Sequence, residues 1–307
     1  MFEKVVVITR KTRLAELVER FNTVGQARFY IEHAGGDFDE YVQEDDFYRR
    51  AMDETRRALD GFDLRVQFAD RSLVPTLLIA ERDLIVTLGQ DGLVANTAKY
   101  AKGQPIIAVN PDPERFDGIL LPFLPAQIHA AVERVLAGRA AMREVTMAEA
   151  RFQDGQRLLA FNDLFLGASS HISARYRITL DGKSETQSSS GILVTTGAGS
   201  TGWMSSVFNM ACGMAASMGG RAPEPVRMGW EDPRLFFVAR EPFVSRHSTA
   251  AIVAGWIGEG RDLRLESTMA AGGCVFSDGI EADSVEFNAG AVVNVRRAKE
   301  TARLVVT

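Results

Sequence analysis

Residues 83–92 read DLIVTLGQDG, an apolar run that breaks into Gly89-Gln90-Asp91-Gly92 just before a helical pattern. The run at 83–88 has the continuous apolar character of a strand buried on both faces. Residues 93–101 are expected to form a helix. In an open α/β sheet, ligands bind where a strand ends and the chain turns into a helix. Glycine there admits φ > 0 and lets the backbone approach a phosphate. The helix N-terminus adds free N–H groups and the positive end of a dipole. Asp91 sits in the middle of the turn. A carboxylate beside a phosphate is unfavourable unless it has a task, such as taking a proton from an attacking hydroxyl or binding Mg²⁺. A plain Asp-Gly turn fits the same four residues. No Walker lysine motif is present, which excludes a P-loop NTPase.

Outward from this turn, the first third alternates strand and helix. Residues 5–8 (VVVI) read as a buried strand, and Leu14, Leu17, Val18 and Phe21 recur at helical spacing. Phe38, Tyr41, Tyr48, Met52 and Leu59 keep a second helical phase. Within it, Glu44-Asp45-Asp46 is expected to be a solvated face rather than a metal cluster, because adjacent residues on a helix diverge. Residues 64–68 and 104–109 read as further strands and 126–136 as an amphipathic helix. Such alternation predicts a parallel sheet with helices on both faces. After about residue 145 the strands follow one another directly, at 158–161, 174–180, 191–196, 235–238 and 249–253. One helix, 203–218, interrupts them. It is rich in Ala, Gly, Ser and Met, and is expected to pack closely against a neighbour. The fold class expected is therefore α/β, with a Rossmann-like part over residues 1–143 and a β-rich, sandwich-like part over 144–307. The last strand is a candidate to return to the first part.

The 307 residues suffice for two domains, and 46% hydrophobic with 24% charged content is ordinary for a globular enzyme. A net charge of -5 argues against a nucleic-acid binder, which would show a basic face. It leaves room for a locally basic anion site. Cys212 and Cys274 have neither metal-ligand spacing nor a disulfide framework, and are expected to be small buried thiols in a reducing compartment. The chain enters its first strand without a signal-like region, and no apolar run is long enough to span a bilayer. A cytoplasmic protein without a membrane partner is the expectation. His171 and His247 read as surface or structural histidines.

Two further features bear on chemistry. Gly197-Ala198-Gly199-Ser200-Thr201-Gly202 follows an apolar strand and opens the helix at Trp203. The hydroxyls of Ser200 and Thr201 can cap that helix or hold a ligand. Asn162-Asp163 lies between Phe161 and Leu164-Phe165-Leu166, and polar groups inside an apolar stretch need hydrogen-bond partners or a ligand.

Together and in this order, GQDG at 89–92, AFNDLFLG at 160–167 and SSGILVTTGAGSTGW at 189–203 resemble the blocks of the NAD kinase family. VNPDPERFDGIL at 109–120, SSG at 189–191 and Trp203 are most similar to its mitochondrial-type branch. AREPFVSR at 239–246 and SDGIEADSVEFNAGAVVNV at 277–295 extend the resemblance over nearly the whole chain. It implies phosphoryl transfer from ATP, with Mg²⁺, to the 2′-hydroxyl of the adenosine ribose of NAD, giving NADP. It implies that Asp91 activates that hydroxyl and that Gly89, Gln90 and Gly92 form the phosphate loop. Asn162 and Asp163 would bind the dinucleotide. Ser200, Thr201, Gly202 and Trp203 would cradle adenosine groups, with Ser206 following on the same helix. A homodimer or higher homo-oligomer is implied by the resemblance alone.

Two residues depart from the family pattern. Gln90 replaces the second glycine, where a Cβ limits positive φ, and Gly197-Ala198 stands where many members have Pro-Thr. A non-catalytic or altered-specificity nucleotide-binding member of the NAD kinase/diacylglycerol kinase superfamily is the alternative. A lipid kinase shares the glycine-Asp-glycine loop but is disfavoured by the Asn162-Asp163 and Ser200-Thr201 blocks.

Overall fold

The buried run of valines at positions 5–7 lies at the centre of the first sheet, fully shielded from solvent. It belongs to β1 (Lys4–Thr9), which is followed by α1 (Arg13–Phe21), α2 (Val24–His33) and α3 (Phe38–Leu59). Then come β2 (Arg65–Asp70), β3 (Asp83–Leu88), α4 (Asp91–Ala98), β4 (Pro105–Val109) and α5 (Ile128–Leu136). The computed structural model describes residues 2–307. They form two compact units, the residues up to 143 together with 303–307, and residues 144–302.

In the first unit the strands are parallel in the order β2-β1-β3-β4. Residues 303 and 304 join as a further parallel segment beside β4. Apolar side chains of α3 and α5 (Tyr48, Ala51, Leu59, Ile128, Val132, Val135) cover Val5, Val7, Leu84, Val86 and Leu88. α4 packs on β1, β3 and β4. α1 and α2 make a smaller cluster of their own with the start of α3, through Leu14, Ala27, Ile31 and Phe38.

The second unit contains β5 (Met142–Phe152, which starts in the first unit), β6 (Arg157–Ala160), β7 (Asp163–Ala168), β8 (Ala174–Leu180), β9 (Lys183–Ser189) and β10 (Ile192–Thr195). α6 (Trp203–Ser217) follows, then β11 (Leu235–Ala239), β12 (Ala254–Ile257), β13 (Leu263–Ser267), β14 (Gly273–Ser277), β15 (Ile280–Glu286) and β16 (Val292–Val305). One sheet runs β12-β11-β10-β7-β14-β15; the other contains β16-β13-β8-β9, with β5 beside β16 and β6 beside β5. Leu164, Leu166, Ile192, Val194 and Phe237 of the first sheet share one core with Tyr176, Ile178, Leu263, Leu265 and Val293 of the second. This is the sandwich, and the fold class is as expected: α/β with a Rossmann-like first part and a β-sandwich second part.

Three local expectations fail, each for a physical reason. Residues 249–253 are not a strand. The Glu185 carboxylate accepts the Thr249 hydroxyl at 2.6 Å and the backbone N–H groups of Ala251 and Ile252, so those donors go to a side chain and the ladder begins only at Ala254. α6 does not pack closely along its length. Met204 is its one buried residue, and Met210, Met214 and Met218 are exposed. Glu44 and Asp45 are not a solvated face. Glu44 is buried against Arg10 and Arg13, and Asp45 accepts the Thr12 hydroxyl and pairs with Arg49, while Asp46 is exposed as expected. Of the cysteines, Cys274 is buried but Cys212 is only half-buried. Among the described residues, no helix is long and apolar enough to cross a membrane.

Candidate active site

In the first unit, β3 ends at Leu88 and α4 begins at Asp91, so Gly89-Gln90-Asp91-Gly92 is the junction itself. None of the four residues has a positive φ. Gln90 sits at φ -94, ψ 168, ordinary extended backbone. The side chain at this position therefore imposes no backbone strain, contrary to the expectation from its replacement of glycine. Gln90 is exposed and its side chain makes no capping hydrogen bond. At Gly89, an added Cβ would lie 2.8 Å from Leu93 Cδ2, and at Gly92 it would meet nothing within 4 Å. Gly92 thus leaves open space over the first turn of α4. Asp91 is half-buried, and its Oδ1 accepts a 2.7 Å hydrogen bond from the Leu120 N–H. That bond fixes the carboxylate orientation, and Oδ2 has no donor among the described residues. Among the described residues, no group of three or more His, Cys, Asp or Glu is arranged to hold a metal ion. One half-committed carboxylate is what suits Mg²⁺ arriving on phosphates, because that ion keeps its waters and takes few protein ligands.

In the second unit, the structure brings together the other two blocks. Asp163 begins β7 with Asn162 immediately before it, and Thr195 of β10 lies directly opposite Asp163. The turn after β10 folds back onto them: the Thr196 N–H donates to the Asn162 carbonyl at 2.9 Å, and the Thr196 hydroxyl donates to the Phe161 carbonyl at 2.6 Å. Gly199 makes this closeness possible, and Gly197 allows a second one, to the chain at Gly229. A Cβ on Gly199 would stand 2.3 Å from the Asn162 carbonyl oxygen, and one on Gly197 1.8 Å from the Gly229 carbonyl oxygen. Ser200 is buried and its hydroxyl donates to the Gly197 carbonyl at 2.7 Å, so it is a structural brace of the turn. Thr201, Gly202 and Ser206 are exposed.

Asp278, to which sequence reasoning assigned no role, clamps the knot. Its Oδ1 accepts the Asn162 and Asp163 N–H groups at 2.7 and 3.2 Å, and its Oδ2 accepts the Phe161 N–H at 3.0 Å. With the three backbone donors satisfied, the side chains of Asn162 and Asp163 are spared for other work. The Asn162 side-chain amide makes no hydrogen bond among the described residues. Asp163 Oδ1 is buried with no hydrogen-bond partner among the described residues. Burial pushes the Asp163 carboxyl up to about 7; the Thr195 hydroxyl pulls the other way, and the Asp278 charge adds to the rise. A visible signal for Asp278 was its Asp-Gly turn: Asp278 and Gly279 both have positive φ.

Successive side chains on a strand point to opposite faces, so Asp163 and Phe165 share the face turned away from the sandwich core. Phe165 stacks on Trp203 with centroids 5.7 Å apart and on Phe276 at 4.9 Å. The Arg240 guanidinium lies 5.3 Å from the Trp203 ring centre. A cavity of about 670 Å³ opens here, lined by these groups with Ser190 and Cys274. Its flat aromatic wall suits a planar ring, while the Arg240 guanidinium shares the lining with the carboxylates of Glu241, 3.8 Å from it, and Glu281.

No family model matches the chain. The chain is 31% identical over 126 residues to an NAD kinase of Chlorobium phaeobacteroides and 33% identical over 127 residues to an NAD kinase of Chlorobium chlorochromatii. Each match covers 39% of this chain and 43% of the relative, less than half the length of those relatives. Two solved structures share the fold. Yeast NADH kinase complexed with NADH aligns with a TM-score of 0.58 at 18% identity, over 100% of this chain and 84% of that one. An NAD kinase from Archaeoglobus fulgidus in complex with ATP aligns with a TM-score of 0.55 at 16% identity, over 98% and 93%. NAD kinases are thus what the chain is similar to, in part of its sequence and in its fold.

Proposed function

We propose that this chain is an NAD kinase, transferring the γ-phosphoryl group of ATP to the 2′-hydroxyl of the adenosine ribose of NAD to give NADP. Within that proposal, Ser189-Ser190-Gly191 and Trp203 support a likeness to the mitochondrial-type branch. The observation that carries it is the sheet face in the second unit. There Asp163, whose buried Oδ1 has no hydrogen-bond partner among the described residues, begins the strand that carries Phe165 of the aromatic wall, with Asn162 immediately before it. Ribose hydroxyls are donors that satisfy such an oxygen, and a nucleotide ring is a partner for Trp203.

Phosphoryl transfer asks the protein for in-line positioning and charge neutralisation rather than covalent chemistry. Asp91, oriented by the Leu120 N–H, takes the proton of the 2′-hydroxyl at Oδ2 as the oxygen attacks the γ-phosphorus. The bond from that phosphorus to the bridging oxygen breaks, and ADP leaves with the electron pair. Mg²⁺ on the donor phosphates would supply charge neutralisation there. Gly92 leaves room for the donor phosphates to reach the α4 backbone.

The test is direct: full-length protein with ATP, Mg²⁺ and NAD, assayed for NADP. Asp91→Asn is expected to lower turnover by about 10²–10⁴ with the NAD dissociation constant unchanged, and Asn162→Ala to weaken NAD binding. Absence of NADP from the wild-type protein, or full activity in Asp91→Asn, would sink the assignment.

A further inference from the structure

One turn of α3 grips the chain on both sides of the Gly89–Gly92 junction. Glu44, Asp45 and Tyr48 fall within that turn, and residues three and four apart share a helix face. All three hold the segment between β1 and α1. Glu44 accepts from Arg10 Nη2 at 2.9 Å and Arg13 Nε at 2.5 Å, and lies 3.8 Å from Arg115. Asp45 accepts the Thr12 hydroxyl at 2.5 Å. The Tyr48 hydroxyl accepts the Arg10 N–H at 2.9 Å.

Tyr48 also reaches β3. Its hydroxyl donates to the Leu88 carbonyl at 3.0 Å, the last carbonyl of that strand before Gly89. One buried oxygen thus ties the end of β1 to the end of β3. Burial pushes the hydroxyl up to about 12, against the pull of the Arg10 N–H and charge. It therefore stays protonated and keeps donating to Leu88 through the neutral range. Its one proton is committed inside the protein, so what it supplies is geometry rather than a ligand contact. Only Gly89 and Gln90 separate Leu88 from Asp91, and two residues are too short to absorb a shift of the strand end. Arg10 abuts the same place, since a Cβ on Gly89 would lie 3.6 Å from Arg10 Cδ. Asp91 is anchored independently by the Leu120 N–H at 2.7 Å. Its carboxylate is located by two holds, one through Leu120 and one through the strand end that Tyr48 fixes.

We infer that Tyr48 is a positioning residue of the phosphoryl-transfer site: its hydroxyl sets where β3 hands over to Gly89, and so where Asp91 stands. Its effect on turnover rests on the kinase reading; its effect on the loop does not. Phenylalanine at this position fills the same space but leaves the Leu88 carbonyl and the Arg10 N–H without this partner. Packing is kept and only the tie is cut.

The test compares Tyr48→Phe with Val135→Ala, a packing change on α5 in the same core, both in the full chain with ATP, Mg²⁺ and NAD. Tyr48→Phe is expected to lower kcat about tenfold, the scale of a small misplacement of a reacting group, with the KM for NAD unchanged. Val135→Ala is expected to lose stability and keep its kcat. The amide resonances of Gly89 and Asp91 should shift in Tyr48→Phe and stay in place in Val135→Ala. Wild-type kcat or unmoved resonances in Tyr48→Phe overturn the inference. An equal loss of kcat in Val135→Ala overturns it too, because general loosening would then explain both. 4-Aminophenylalanine at position 48 keeps a donor for Leu88 and should stay within about threefold of wild type. A tenfold loss there is fatal to the role even if Tyr48→Phe is too unstable to assay. Wild-type protein that forms no NADP removes the kinase reading and leaves the resonance test standing. NADP formation with Tyr48→Phe fully active removes Tyr48 and keeps the kinase.

Discussion

Two strand-to-helix turns in this molecule look alike as sequence and are built on opposite principles. At Gly89–Gly92, the glycine in the first turn of the helix faces open space and the other meets only side chains, Leu93 and Arg10. At Gly197–Gly202, two glycines lie against backbone carbonyl oxygens at distances no Cβ tolerates. In the first turn the missing side chain leaves room for something to arrive. In the second it lets the protein close on itself, so that Asn162 and Asp163 are held through their backbone while Asp163 Oδ1 stays without a partner among the described residues. Glycine in a strand-to-helix turn therefore identifies a phosphate loop only after its surroundings are known.

The comparison can be broken from either side. Gly197→Ala should carry the largest cost in stability: a backbone overlap that cannot relax, worth about 3 kcal/mol and read as a lowered denaturation midpoint. A variant as stable as wild type would show that the turn is not locked. Gly92→Ala should leave stability unchanged or slightly higher, because alanine is the better helix former, yet raise the donor KM about tenfold. An unchanged KM would mean that the open space is not used.

Asp163→Asn sharpens the second side. The folded carboxyl titrates at about 7 against an ordinary 3.8, so the folded state holds the proton more tightly. Its stabilising contribution is complete below the lower value, is lost as pH rises to the higher one, and is flat above. The substitution should remove that slope from a pH series of melting temperatures. It should also weaken NAD binding several-fold above pH 7, where the ionised carboxylate is the acceptor for ribose hydroxyls. The smallest effect is expected from Gln90→Gly. Because the backbone there is already extended, only the entropic cost of glycine, about 0.5–1 kcal/mol, should appear in stability.

How much could be read in advance depended on whether the cause was local. β1, β3 and β8 were legible because a strand's apolar pattern belongs to the strand. α2 was not, since its Val24–His33 sequence has little amphipathic contrast and its start is set by the Thr23 cap on Gln26. Glu44 looked solvated because its partners are at positions 10, 13 and 115, and no spacing rule reaches that far. Residues 249–253 have strand composition, but Glu185, more than sixty residues earlier, claims their N–H groups. At the candidate site, the turns and the Asn-Asp pair were visible as motifs. The clamp by Asp278 and the stack of Phe165, Trp203 and Phe276 depend on strand pairing, which only the fold supplies.

The last strand has a consequence for the order in which the molecule is made. β16 ends in the first unit, where residues 303 and 304 pair with β4 and Val305 joins the core beneath α5. During synthesis the first 143 residues emerge well before that segment. Until then the edge of β4 offers unpaired backbone groups, the kind of edge that invites pairing with another chain. The nascent first unit must wait for about 160 further residues, which at ordinary elongation rates means roughly ten to thirty seconds. The sheet that carries the Gly89–Gly92 turn is thereby completed only once residues 303–305 have been made.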